Sequence, residues 1–192
     1  MSDVIWESRY WKEPLGRSAR YLERLRVDEE IHESVFVRIE KEVFLGFYSV
    51  RRLHDTFTLT DKTRGIQFDL VWHPNLKAVD YMNWHHIDEN YGLSVHNRET
   101  RSLSYLCNQF IHSFLFMPHV AGDRLAGFFV ASDRDRHSKC YFVSISQVVS
   151  AFLTVSRDYP KHLEFVRDES TGQIRVISAE WHPVQPAAPA DA

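Results

Sequence analysis

Two short stretches of this sequence carry side chains suited to acid–base chemistry. In the first, His85 stands three residues before Asp88, and in the second, Asn108 stands four residues before His112. Histidine titrates near neutral pH, and a carboxylate can orient its ring, so such pairs are typical of general acids and bases. We therefore predict His85, Asp88, Asn108 and His112 as catalytic residues of one pocket formed by residues 81–112.

Arg101 and Tyr105 precede Asn108 at a spacing that places all three on one side of a helix. Arginine can hold an anion through its planar guanidinium, and a tyrosine hydroxyl can orient a ligand. We predict that Arg101 and Tyr105 bind the ligand of the same pocket. A solvated helix face would show the same pattern, because every helix at the surface of a domain needs a polar side.

Such a pocket would suit hydrolysis of a small molecule, with or without a metal ion. The sequence contains no glycine-rich phosphate loop and no zinc-protease motif. Its single Glu-x-x-His pair is Glu29 with His32, whereas a di-iron bundle requires two such pairs. We therefore expect no cofactor and no resident metal, and an enzyme is one alternative among several.

Positive charge near the N-terminus raises nucleic-acid binding as a second alternative. Arg17, Arg20 and Arg24 share one side of a predicted helix, and Trp6 and Trp11 could stack on bases. The formal net charge of −3 weighs against a chain that mainly neutralises phosphates.

Aromatic residues near the N-terminus favour a third class of function. Trp6, Tyr10 and Trp11 lie close together, and aromatic side chains are enriched where proteins bind each other. Because no catalytic motif is present, we favour a binding or assembly module, an accessory subunit of a bacterial protein complex. We expect a protein partner or self-association through these three residues.

The spacing of apolar residues predicts an α+β fold, with a mainly antiparallel sheet packed against several helices. The predicted N-terminal helices cover residues 14–26 and 28–55, the second capped by Asp28. A third amphipathic helix is predicted over 99–115, ending before Pro118.

Strands are predicted where β-branched and aromatic residues lie between polar turns. A first hairpin covers 57–60 and 66–72. The C-terminal part predicts a ββαββ unit, with strands at 125–132 and 140–145, a helix capped by Ser146, and a hairpin at 162–181.

Composition indicates one ordinary globular domain over residues 1–182, followed by a disordered Pro/Ala tail at 183–192. Hydrophobic residues make up 44% of the 192 residues, which is typical of a folded chain. Two cysteines do not make a disulfide framework, and no apolar run reaches the ~20 residues that span a bilayer. We expect a cytoplasmic protein without a membrane segment.

Overall fold

A computed structural model describes residues 3–27, 32–56, 58–160, 162–172 and 174–179. The predicted tail at 183–192 lies outside these ranges.

The N-terminal third of the chain forms two long helices, α1 (Asp3–Arg24) and α2 (Glu33–Asp55). The prediction that a helix starts at Pro14 is wrong, because α1 runs through this proline. The cap of α2 is His32, and the predicted cap Asp28 lies outside the described residues.

The next segment corrects the predicted first hairpin. Residues 58–60 form no strand, and a short helix, α3 (Asp61–Arg64), follows them. The hydroxyl oxygen of Thr60 accepts the backbone N–H of Thr63, which starts this helical turn. The predicted second strand is confirmed as β1 (Gln67–Pro74).

The predicted helix over 99–115 is wrong at both ends. This region contains β2 (Asn97–Ser102), α5 (Leu103–Ile111) and β3 (Ser113–Ala121). Ser102 ends the strand and caps the helix by accepting the N–H of Tyr105. Apolar residues continue from α5 into β3, so the run of apolar positions did not reveal the change from helix to strand. Pro118 lies within β3, an edge strand of the sheet, where its missing N–H is tolerated.

The C-terminal ββαββ unit is present. It consists of β4 (Arg124–Ser132), β5 (Lys139–Ser144), α6 (Ile145–Arg157), β6 (His162–Arg167) and β7 (Ile174–Ala179). The cap of α6 is Ser144, not Ser146, and Gln147 completes a capping box with it. Among the described residues, the strands of the final hairpin pair with each other and form a separate two-stranded sheet.

The main sheet has five antiparallel strands in the order β2-β1-β5-β4-β3, which confirms the α+β class. Helices α5 and α6 pack on one face of this sheet, and α2 packs on both of them. Helix α1 completes this layer by packing on α2 and α6. At its centre, the ring of Phe47 stacks on Phe110 and meets Phe152 edge-on.

The opposite face of the sheet is partly covered by residues 75–96, which include the short helix α4 (Ile87–Asn90). From this segment Val79, Ile87 and Tyr91 form a second apolar cluster with Leu115 and Cys140. Among the described residues, no helix is long and apolar enough to cross a membrane.

Candidate functional site

Three of the four predicted catalytic residues, His85, Asp88 and His112, are exposed to solvent. The ring of His85 lies 4.0 Å from that of His86, in the turn that precedes α4. Within the described ranges, no side-chain hydrogen bond or ion pair joins His85, Asp88 or His112 to another of the four. Their shared catalytic role therefore stays a prediction.

Asn108 has a role between two helices. The guanidinium of Arg51, on α2, donates to Asn108 Oδ1 at 2.9 Å and to Ser104 Oγ at 3.0 Å. The same arginine donates through Nε to Asp55 Oδ2 at 2.7 Å. Asn108 thus helps to join α5 to α2 through Arg51.

The structure brings the two predicted ligand-binding residues together. The guanidinium carbon of Arg101 lies 4.7 Å from the ring centre of Tyr105. Arg101 is on β2 and Tyr105 on α5, so they meet across the strand–helix junction and not along one helix face.

Arg101 and Tyr105 belong to a larger polar cluster built around Glu99. Glu99 Oε2 accepts from Arg101 Nη2 at 2.7 Å, while Oε1 accepts from Lys139 Nζ at 2.6 Å and from the hydroxyl of Tyr141. Burial alone would raise the pKa of Glu99, but the hydrogen bonds from Arg101, Lys139 and Tyr141 outweigh it and lower the pKa to about 2. Glu99 is therefore a carboxylate at neutral pH.

Two tyrosine hydroxyls extend this cluster towards the loop between β4 and β5. The hydroxyl oxygens of Tyr141 and Tyr105 lie 2.7 Å apart, and Tyr105 donates to Asp135 Oδ2 at 2.9 Å. Gln109 Nε2 donates to the same carboxylate oxygen at 2.6 Å. Burial raises the pKa of both tyrosines, so both hydroxyls stay protonated at neutral pH.

The sequence offered little sign of this cluster, because its members are distant along the chain. Glu99 and Tyr141 are 42 residues apart and meet because both β2 and β5 pair with β1. Glu99 is paired with Arg101 and Lys139, and Tyr105 and Gln109 of α5 donate to Asp135, so the cluster holds the sheet to α5. Across the described part of the chain, no group of three or more His, Cys, Asp or Glu side chains could hold a metal ion.

A second feature that the sequence analysis missed is the buried lysine of α1. Lys12 has no solvent exposure, and its ammonium group donates to the backbone carbonyls of Thr58, at 2.8 Å, and of Asp158. Its position in the chain was a usable signal. Ser8, Lys12 and Leu15 are successive members of the buried stripe of α1, and all three are buried in the structure.

Two of the three predicted interface residues lie on an exposed surface. The side chain of Tyr10 is 73% exposed and that of Trp11 39%. The ring of Trp11 lies 6.2 Å from the ring of Tyr48 on α2. Trp6 is part of α1, but its side chain is not among those described.

Helix α2 continues this exposed apolar surface. Leu45 is 65% exposed, Tyr48 53% and Val37 39%. We call the set Tyr10, Trp11, Val37, Leu45 and Tyr48 the α1/α2 surface. Large apolar side chains that share an exposed face are typical of a surface that another protein covers.

The basic residues of α1 are placed as the nucleic-acid alternative requires. Arg17, Arg20 and Arg24 are all exposed. Elsewhere, Lys139 binds Glu99 and Arg136 pairs with Asp133 at 2.8 Å, so these two cations are already engaged in ion pairs. Nucleic-acid binding stays a prediction.

No model of a known protein family matches this chain, and neither curated proteins nor solved structures provide a match. The function must therefore be inferred from the chain's own residues.

Proposed function

We propose that this protein is a binding or assembly module that holds a protein partner on its α1/α2 surface. The observation that carries the proposal is the contact between Trp11 and Tyr48, whose rings lie 6.2 Å apart while both side chains remain exposed. This contact joins the aromatic residues of α1 to the apolar residues of α2. Aromatic side chains at such positions are common hot spots of protein interfaces.

The spacing along α2 suggests what kind of partner fits. Val37, Lys41, Leu45, Tyr48 and Arg52 recur at intervals of three or four residues and are all exposed. This is the spacing with which one helix packs along another. A partner helix with apolar residues at matching intervals would cover the row.

Positive charge beside this row of exposed α2 residues favours acidic residues on the partner helix. Lys41 and Arg38 line a shallow groove beside Leu45. Arg38 is 3.9 Å from Glu42, but Lys41 forms no ion pair within the described ranges. Carboxylates flanking the apolar residues of the partner would pair with these cations and would speed association at low salt.

The test is capture from a lysate of the source organism by immobilised wild-type protein and by its Leu45→Glu and Tyr48→Glu variants. We expect a protein that the wild type retains and both variants lose. Met82→Glu is the matched control, because Met82 is 84% exposed and lies outside the α1/α2 surface. A captured protein that is lost equally with Met82→Glu, or retained by all variants, would contradict the proposal.

A second copy of this chain can also serve as the partner, because the exposed residues of α2 include Glu33 and Glu40. Sedimentation velocity separates the two cases. A dimer that Leu45→Glu converts to monomers shows self-association, whereas a wild-type monomer shows that the partner is a different protein.

A further inference from the structure

A groove runs beside α6, on a part of the molecule distinct from the α1/α2 surface. Its volume is about 950 Å³, within the range of roughly 300–1,000 Å³ in which small molecules are usually bound. One wall is α6, and the other includes Thr63 of α3 and Ile66, which precedes β1.

Helix α6 lines the groove with two neighbouring rows of side chains. The apolar row consists of Ile145, Val149 and Leu153, which are four residues apart. The hydroxyl row, one position further along the helix, consists of Ser146, Ser150 and Thr154. Because residues four apart lie above one another on a helix, both rows run the length of the groove. The groove is therefore amphipathic, with an apolar side about 12 Å long at 1.5 Å per residue.

An arginine lies at each end of α6 in this groove. Arg157 is in the last turn of the helix. Arg124 lies near its first turn, because Ser144, the cap of α6, pairs with Gly127 of the strand that Arg124 begins. Both arginines are exposed, and within the described ranges neither forms a hydrogen bond or an ion pair through its side chain.

The end of the groove at Arg157 is the more favourable one for an anion. The carboxylate at that end, Asp158, already accepts from the backbone N–H and the hydroxyl of Thr60 at 2.7 and 3.1 Å. At the other end, Arg124 shares the groove with Glu23.

We propose that this groove binds a long-chain carboxylate, with its apolar chain along Val149 and Leu153 and its carboxylate on Arg157. An arginine fork pairs with a carboxylate through two charge-assisted hydrogen bonds, and an apolar chain leaves water when it covers the apolar row. The site is independent of the protein partner proposed above, since it shares no residue with the α1/α2 surface.

The test is calorimetric titration with dodecanoate, below the concentration at which it aggregates, compared with dodecan-1-ol. We expect saturable binding of one dodecanoate by the wild-type protein. Arg157→Ala should weaken it at least about tenfold, the effect of losing a charge-assisted hydrogen bond. Ser150→Trp should abolish it, because the new ring fills the groove from an exposed position of α6.

Two control variants show whether the effect belongs to the groove. Arg98→Ala removes an exposed arginine of β2, and Leu45→Glu alters the α1/α2 surface. Both should bind dodecanoate like the wild type, and circular dichroism should show all four variants folded. If Leu45→Glu lost binding and Ser150→Trp kept it, the ligand would lie on the α1/α2 surface and not in the groove, and the inference would be overturned.

Three other results would also overturn the proposal. These are an absence of saturable binding, binding that Arg157→Ala and Ser150→Trp both leave unchanged, and equal affinity for dodecan-1-ol. The last would show that the carboxylate is not recognised.

Discussion

The ammonium group of Lys12 donates to the backbone carbonyl of Thr58 across 2.8 Å, at a position where the lysine side chain has no solvent exposure. It also donates to the carbonyl of Asp158, and its nitrogen lies 4.5 Å from the ring centre of Tyr159. Asp158 is the C-cap of α6, so one side chain of α1 stabilises the end of α6 and the segment that leads into α3.

This lysine should make the stability of the fold depend on pH in the alkaline range. Burial lowers the pKa of Lys12 from its ordinary value of 10.5 to about 8. Between these two values the unfolded chain binds the proton more tightly than the folded protein does. The free energy of unfolding therefore increases as the pH rises. Relative to that of Lys12→Met, the free energy of unfolding of the wild type should increase by up to about 3 kcal/mol between pH 8 and 10.5.

Urea unfolding at several pH values measures this gain. Lys41→Met, which removes an exposed lysine of α2, controls for the loss of one charge. A difference between wild type and Lys12→Met that is constant from pH 7 to pH 10.5 would contradict the burial of a charged ammonium group.

Glu99 should add a pH dependence of the same sign, in the acid range. Hydrogen bonds from Arg101, Lys139 and Tyr141 outweigh the burial of Glu99 and lower its pKa from 4.5 to about 2. The stability that it contributes is therefore complete above pH 4.5 and is lost as the pH falls towards 2. Glu99→Gln should cost about 2 kcal/mol at pH 7, after allowance for the partial exposure of the side chain.

This contribution can be measured by thermal and urea unfolding of the wild type and of Glu99→Gln between pH 2 and pH 7. Glu89→Gln is the control, because Glu89 forms an exposed ion pair with Lys77 and should matter little. Equal effects of the two substitutions at pH 7 would show that the Glu99 cluster does not stabilise the sheet.

Gly46 should not tolerate even one added carbon. A Cβ atom at this position in α2 would overlap the ring of Phe152 on α6. Alanine favours a helix over glycine by about 1 kcal/mol, but overpacking of a core typically costs about 1–3 kcal/mol. We expect Gly46→Ala to lower the free energy of unfolding, measured in urea, with Ser34→Ala in the same helix nearly neutral. A stabilised Gly46→Ala would show that α2 and α6 are further apart than described.

Two neighbouring aromatic residues of α2 should differ sharply in their contribution to stability. Phe47 is fully buried and stacks on Phe110 at 4.1 Å between ring centres, whereas Tyr48 is 53% exposed. Phe47→Ala should cost about 3–5 kcal/mol, and Tyr48→Ala less than about 1 kcal/mol. Chemical denaturation of both variants measures the difference. A large loss with Tyr48→Ala would mean that this ring holds the fold and is not available to a partner.

Both cysteines should be unreactive in the folded protein. Cys107 and Cys140 are buried, and burial raises the pKa of Cys107 to about 12 and that of Cys140 further still. The reactive thiolate is therefore scarce, and reagent has no access to it. Ellman's reagent should label neither cysteine in native buffer and both in urea. Labelling of a protein whose circular dichroism is unchanged would contradict their burial.

Some features of this fold follow from the sequence alone, because they depend on neighbours along the chain. The alternating apolar residues of β4 and β5 and the helical spacing in α6 were predicted, and the structure confirms these elements within a few residues. The α+β class follows in turn, since adjacent hairpins with few crossovers build an antiparallel sheet. Tyr10 and Trp11 are exposed, and the interface predicted for the aromatic N-terminus stays a prediction.

Other features required the tertiary structure, because they depend on residues that only strand pairing and helix packing bring together. The helix predicted over 99–115 is interrupted because residues 97–102 pair with β1 and residues 113–121 pair with β4, which no local periodicity reveals. The same pairing gives Glu99 its partners on β5. The burial of Lys12 has the same origin. Its place on the apolar stripe of α1 indicates burial, whereas its charge predicts exposure, and the carbonyl groups of Thr58 and Asp158, distant in sequence, decide in favour of burial.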